Sequence, residues 1–171
     1  MPIDLATIEV QRLKATDDVH EFTTSDADVD NFLKVIAWTY QEEQMGVSFL
    51  ARLETQLVGY FTLSAARIRV KQVETRDQVE DLQEMEYYPA LLIGQLAVGK
   101  PFEKQGIGSR LLQIIYGIAA GLQDRIGVRF LVLNATPASL AWWTKRGFTA
   151  LRNQRNRKLP FLYLDIRKME R

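Results

Sequence analysis

Two hydrophobic periodicities alternate along this chain, one of period two and one of helical spacing, and their order predicts a mixed arrangement of strands and helices. Ile8 and Val10 suggest a first strand, which leads through Asp17 and Asp18 towards Phe22. Ser25-Asp26-Ala27-Asp28 reads as a capped helix start, and Val29, Phe32, Leu33, Ile36, Ala37 and Tyr40 follow as an amphipathic face. Val47 to Leu53 and Leu57 to Ala65 form two strands joined by the polar turn Glu54-Thr55-Gln56. The run Leu91 to Val98 is long and apolar enough for a buried strand. Gly106 and Gly108 then let the backbone turn before Leu111, Leu112, Ile115, Ile118, Ala119 and Leu122 set up a long helix. Val128 to Leu133 is a second buried-type strand. Thr136-Pro137 offers a hydroxyl cap and a proline at the first position of a short helix, which Gly147 stops. Phe161 to Ile166 closes the series with strand-like alternation. The predicted order is strand, helix, hairpin, then strand-helix-strand-helix-strand, an α/β (α+β mixed-sheet) fold.

Composition narrows the possibilities. At 171 residues and 47% hydrophobic, the chain can bury one sizeable core, and no repeat, low-complexity tract or proline-rich linker marks a boundary. A single domain over 1–171 is expected. No segment approaches the roughly 20 apolar residues of a membrane span, and the N-terminus lacks an export pattern, so the expected location is cytoplasmic without a membrane partner. The absence of cysteine removes disulfides, thiolate nucleophiles and cysteine metal sites together. His20 is the only histidine and lies in a polar stretch, which makes it a loop residue rather than a metal ligand; no metal is expected.

The chemistry concentrates where the buried strand meets the glycines. Unpaired amides at a helix start point outward with the positive end of the helix dipole behind them, so such a loop can hold a phosphate or pyrophosphate. Gly108 is followed by Ser109-Arg110 rather than Lys-Ser or Lys-Thr, and the three-glycine dinucleotide fingerprint is absent. The segment Leu96-Ala97-Val98, then Glu103-Lys104-Gln105-Gly106-Ile107-Gly108, resembles the acyl-CoA-binding motif of the GNAT superfamily of N-acyltransferases. Glu103 stands where that family usually has Arg or Gln, with Lys104 and Arg110 close by in sequence. Downstream, Trp142, Trp143, Gly147 and Phe148 keep the spacing of the family's second coenzyme-lining segment.

That resemblance implies a central twisted mixed β-sheet with helices on both faces, and acetyl-CoA as co-substrate. It places Leu96, Ala97, Val98, Glu103, Lys104, Gln105, Gly106, Ile107, Gly108, Ser109, Arg110, Asn134, Ser139 and Trp143 at the coenzyme. Trp143 is expected to border the thiol while Trp142 packs into the core. Gln95 and Ser64 are candidate substrate contacts. The implied reaction is direct attack of a neutral amine on the thioester, with a backbone amide near Ala97 or Val98 stabilising the oxyanion. Tyr163 and Glu86 are the candidate acid and base, with Tyr116 and Glu84 weaker ones. Dimers are common in the superfamily, so a homodimer is an expected assembly.

Phe22 to Leu33, Val58 to Ser64 and Leu92 to Val98 further resemble the GNAT toxins of bacterial toxin–antitoxin pairs, which acetylate aminoacyl-tRNA. Trp143 occupies the position where those toxins carry a tyrosine, and an indole N–H does not act as a general acid near neutral pH. Net charge is only +1. Arg152, Arg155, Arg157 and Lys158 form a basic cluster that could meet tRNA, while Glu74, Asp77, Glu80, Asp81, Glu84 and Glu86 make an acidic segment. Both clusters also fit solvated surface. Three readings follow: an N-acetyltransferase for an amine-bearing acceptor, a toxin-like enzyme acting on aminoacyl-tRNA, and an acyl-CoA-binding module without catalysis.

Overall fold

A computed structural model describes residues 2–169. Its strands are β1 (Glu9–Arg12), β2 (Val47–Leu53), β3 (Gln56–Arg69), β4 (Tyr87–Val98), β5 (Phe130–Asn134), β6 (Thr149–Ala150) and β7 (Phe161–Asp165). They hydrogen-bond in the order β1-β2-β3-β4-β5-β7-β6. The pairings β1–β2, β2–β3, β5–β7 and β6–β7 are antiparallel and β4–β5 is parallel, so the sheet is mixed, as the sequence order predicts. The helices are α1 (Ala27–Asn31), α2 (Ala37–Glu42), α3 (Ile107–Leu122) and α4 (Leu140–Lys145). Contacts divide the chain into two units, Met1–Ser64 with Gly94–Ile115 and Ala65–Ile93 with Tyr116–Arg171.

In the first unit, Leu13, Phe22, Leu33, Ala37, Leu50, Tyr60 and Ala97 form one apolar core. Asp26 caps α1 by accepting from the amides of Asp28 and Val29, which satisfies two donors that the helix itself leaves open. A π-helical turn, Phe32–Ile36, separates α1 from α2. The extra residue in that turn re-phases the buried face: Leu33, Ala37 and Gln41 point inward, while Val35 is 68% exposed and Ile36 41%. Ile36, expected on the buried face, is therefore turned outward. Gln41 reaches into a polar seam, donating to the Leu13 carbonyl at 2.8 Å and accepting from the Ser48 amide at 3.0 Å. The hydroxyls of Ser48 and Thr62 meet at 2.7 Å beside it, so the buried polar groups are satisfied. Gly59 sits where β3 and β4 approach closely; a Cβ there would stand 2.7 Å from the Ala97 carbonyl oxygen. Trp38 packs against the apolar core.

In the second unit, Phe130, Val132 and Tyr163 from β5 and β7 pack with Ile68, Val70, Val73, Tyr88, Ala90 and Leu151. Tyr88 stacks on Phe130, and Tyr163 meets the same ring edge-on, a favoured aromatic geometry. Arg129 grips Asp165 with two hydrogen bonds of 3.0 Å, and Asp165 is only 4% exposed. The acidic segment is a run of short 3₁₀ turns, Val70–Gln72, Thr75–Asp77 and Glu80–Leu82, rather than one helix. The short helix begins later than Thr136-Pro137 predicts. Thr136 Oγ1 accepts from the Ser139 amide at 3.2 Å, closing a capped turn from which α4 starts at Leu140. Gly147 ends it with φ +91°, the left-handed conformation glycine adopts at no steric cost. Strand β6 spans two residues, too few for a period to be visible in sequence.

Candidate functional site

The loop after β4 has the backbone of an anion cradle. Lys104 adopts φ +62° and Gly106 φ +85°, so left-handed residues alternate with ordinary ones and successive amides converge on one concavity. Helix α3 starts immediately afterwards and runs for 16 residues, long enough for a developed dipole with its positive end at the loop. Amides in the first helical turn have no intrahelical acceptor. Arg110 closes that turn, its amide donating to the Gly106 carbonyl at 3.1 Å, and its Nε is enclosed without a hydrogen-bond partner. A guanidinium donor left open on a residue of the helix start suits a bound phosphate.

The remaining loop residues are disposed around this cradle. Glu103, Lys104, Gln105 and Gly106 are exposed, whereas Ile107 is buried and anchors the helix start. Gln105 Nε2 donates back to the Pro101 carbonyl at 3.3 Å, which braces the loop from within. Upstream on β4, Ala97 is buried and Gln95, Leu96 and Val98 are half-buried. The parallel ladder of β4 with β5 runs from Ala90 to Leu92 opposite Phe130 to Val132 and goes no further. Beyond it, Leu96 to Val98 continue as extended backbone directly into the loop. Ser64 Oγ, a candidate substrate contact, donates to the Met45 carbonyl at 2.8 Å.

The candidates in the second unit include Asn134, Ser139, Trp143 and Tyr163. Asn134 is exposed at the end of β5. Ser139 Oγ is held locally, 2.9 Å from Thr136 Oγ1 and 3.1 Å from the Thr136 amide. Trp143, expected to border the thiol, is the packed member of the tryptophan pair, 6% exposed and edge-on to Phe148. Adjacent helical positions cannot face the same way, and it is Trp142 that stays half-buried, with the Arg146 guanidinium 3.5 Å over its ring.

Tyr163, named as a candidate acid, is 1% exposed. Its hydroxyl donates to Asp77 Oδ2 at 2.7 Å and accepts from the Glu74 amide at 3.1 Å. Burial pushes the phenol upward, and the hydrogen bond and charge of Asp77 add to that, so it holds its proton well above the ordinary tyrosine range. Asp77 moves the other way. Burial alone would raise it, but hydrogen bonds from Lys168 and Tyr163 and the charges of Lys168 and Arg76 outweigh burial and hold it below the usual carboxylate value. Sequence reasoning missed this Asp77–Tyr163–Lys168 cluster, because nothing local in sequence joins residues so far apart. Glu86 pairs with Arg69 at 2.9 Å in solvent. In the basic cluster, Arg152 and Arg155 both pair with Glu74, so two of its four cations share one carboxylate of the acidic segment. Among the described residues there is no cluster of side chains that could hold a metal, and no helix is long and apolar enough to cross a membrane.

Comparison with known proteins bears directly on this loop. Residues 10–148 match the family model described as the acetyltransferase (GNAT) family. A tRNA-acetylating toxin of Mycobacterium tuberculosis is 23% identical over 125 residues, which is 73% of this chain and 74% of that protein. The structure of AtaT complexed with acetyl-methionyl-tRNAfMet superimposes with a TM-score of 0.79 at 16% identity, covering 94% of this chain and 95% of that one. A mutant AtaT toxin bound to the C-terminus of the antitoxin AtaR and acetyl-CoA gives a TM-score of 0.76 at 16% identity, with 94% of each chain covered.

Proposed function

Because the chain belongs to the acetyltransferase (GNAT) family, we propose that it transfers an acetyl group from acetyl-CoA to a primary amine by direct attack in a ternary complex. The observation that carries this reading is the cradle formed by left-handed Lys104 and Gly106 at the start of α3, directly after Leu96 to Val98. The coenzyme pyrophosphate lies over the amides of Gln105 to Ser109 with Arg110 Nε and Lys104 as its cations. The pantetheine arm runs as an added strand along Leu96 to Val98. The thioester carbonyl meets a backbone amide at Ala97 or Val98. A neutral amine attacks that carbonyl, the C–S bond breaks, the nitrogen gives up one proton to water as the amide forms, and coenzyme A leaves as a thiolate that takes a proton from water. Gln95, half-buried on the same strand just before Leu96, contacts the acceptor.

No side chain is assigned as general acid in this reading. The enclosure of Tyr163 by Asp77 and Glu74, and the exposed pairing of Glu86 with Arg69, support structural roles for both. Positioning and an oxyanion donor account for catalysis without them.

For the acceptor, we infer the amino group of an aminoacyl-tRNA, supported by the similarity to a tRNA-acetylating toxin and to AtaT, which is seen with acetyl-methionyl-tRNAfMet. Arg157 and Lys158 then carry the contacts of the basic cluster, since Arg152 and Arg155 are engaged by Glu74. The test is release of free thiol from acetyl-CoA by the purified protein, presented in turn with charged tRNAs, polyamines, amino acids and peptide N-termini. Thiol release that depends on charged tRNA supports both parts. Release only with another amine retains the transferase and removes tRNA. Coenzyme binding without release under any acceptor leaves an acyl-CoA-binding module.

A further inference from the structure

A cavity of about 380 Å³ opens in the first unit, walled in part by the segment that leads into the amide cradle. Its walls are the stretch around Asp18 to Thr23, the turn from Arg52 to Leu57, and the segment Gly99 to Phe102. That volume falls within the range of small-molecule sites. Two aromatic rings converge in it: a Cβ added to Gly99 would stand 3.2 Å from Phe22 Cε2 and 3.2 Å from Phe102 Cδ2. The lack of a side chain at Gly99 is what lets both rings close on that backbone. The charges lining the cavity are Asp18, Glu21 and Arg52, and Arg52 is already paired with Asp17 at 3.1 Å. Asp18 and Glu21 are therefore the lining carboxylates, while the lining Arg52 is engaged by Asp17. An apolar wall with carboxylates beside it suits an organic cation that carries an apolar body.

We propose that this cavity binds a small organic cation with an apolar body, and that its occupancy regulates the coenzyme loop. The regulatory half rests on the reading of that loop as the acetyl-CoA site. The coupling follows the backbone. Gly99 donates to the Val58 carbonyl and Lys100 to the Thr23 carbonyl, each at 2.8 Å, and the Phe102 amide closes a turn on the Gly99 carbonyl at 2.8 Å. This segment forms one wall of the cavity and joins Val98 of β4 to Glu103 and left-handed Lys104. A cation seated against Phe102 and drawn to Asp18 and Glu21 fixes the turn, and with it the angle at which the chain enters the cradle. Any effect on coenzyme affinity must be reciprocal.

The experiment is calorimetric titration of the full chain with benzyltrimethylammonium, with and without saturating acetyl-CoA. A quaternary nitrogen cannot accept an acetyl group, so binding is read apart from turnover. The expected result is one saturable site, weakened about two- to fivefold by Glu21→Gln and by Asp18→Asn, as befits exposed charges. Asp18→Asn keeps an oxygen for the His20 amide that Asp18 Oδ1 accepts, so the loop itself is preserved. Saturation with the cation should change the acetyl-CoA dissociation constant by about fivefold or more, and acetyl-CoA should change cation binding by the same factor. Absence of saturable binding up to about 10 mM, an affinity too weak to be specific, overturns the site. Binding insensitive to both carboxylate variants overturns the assigned cavity. Cation binding that leaves acetyl-CoA affinity unchanged overturns the coupling. Failure of acetyl-CoA itself to bind overturns the coenzyme reading and leaves the cation isotherm interpretable alone.

Discussion

Replacing Tyr163 with Phe separates a structural hydroxyl from a catalytic one. The ring fits unchanged, edge-on to Phe130, so the perturbation is the loss of two hydrogen bonds: one donated to Asp77 Oδ2 at 2.7 Å and one accepted from the Glu74 amide at 3.1 Å. A hydrogen bond to a charged acceptor contributes about 1.5–3 kcal/mol and a neutral one about 0.5–1.5. The pair thus amounts to about 2–4 kcal/mol, which for a chain of this size lowers the melting temperature by about 5–15 °C. Asp77→Asn removes the charge from the same cluster, and the double variant should cost less than the sum of the two singles because the groups are in direct contact. In thiol-release assays well below the melting temperature, Tyr163→Phe should keep kcat within about threefold, whereas loss of a general acid would lower it by about 10²–10⁴-fold. A fall of about 100-fold with an unchanged melting temperature would refute the structural assignment.

The same cluster fixes a pH dependence. Asp77 is held in the folded state below its usual value of 3.8. A carboxyl depressed on folding contributes stability above its unfolded pKa and loses it as the pH falls through the folded one. Its contribution is therefore complete near neutrality and disappears only below about pH 4. Acid unfolding of Asp77→Asn should lack that part of the transition; an identical acid profile would show that Asp77 does not carry it.

Three further substitutions probe the frame. Gly106→Ala forces a side chain into φ +85° with its Cβ 3.1 Å from Leu5 Cδ1, costing about 1–2 kcal/mol of backbone strain and weakening acetyl-CoA binding about tenfold or more; calorimetry showing native affinity would remove the cradle from the coenzyme site. Gly59→Ala sets a Cβ 2.7 Å from the Ala97 carbonyl oxygen, so a strand must shift at about 1–3 kcal/mol, and an unaltered melting temperature would contradict the close approach. Arg129→Ala leaves Asp165, 4% exposed, without its charge partner and should cost about 3–5 kcal/mol in denaturant unfolding, while Arg129→Met with Asp165→Leu should cost less; equal losses would argue against a buried uncompensated charge.

The strands, the helix-bearing loop and their order were legible because they rest on local periodicity and on residues with singular backbone behaviour. Alternating or continuous apolar runs marked β2, β4, β5 and β7, and Gly106 and Gly147 stand at positive φ where a turn was expected. Ile36 escaped such reasoning because a π-helical turn changes the helical phase, which a fixed period cannot represent. The roles of charged and aromatic side chains were decided by tertiary packing alone. Glu74 holds Arg152 and Arg155, so two of the four cations that look free in sequence share one carboxylate in the fold. Tyr163 acquires Asp77 as its partner, and Trp143 rather than Trp142 becomes the packed ring. A side chain's local sequence fixes which direction it can face, but its partner comes from whichever distant segment the sheet brings alongside; pairing and desolvation, which set its charge state and chemistry, therefore exist only in the folded chain.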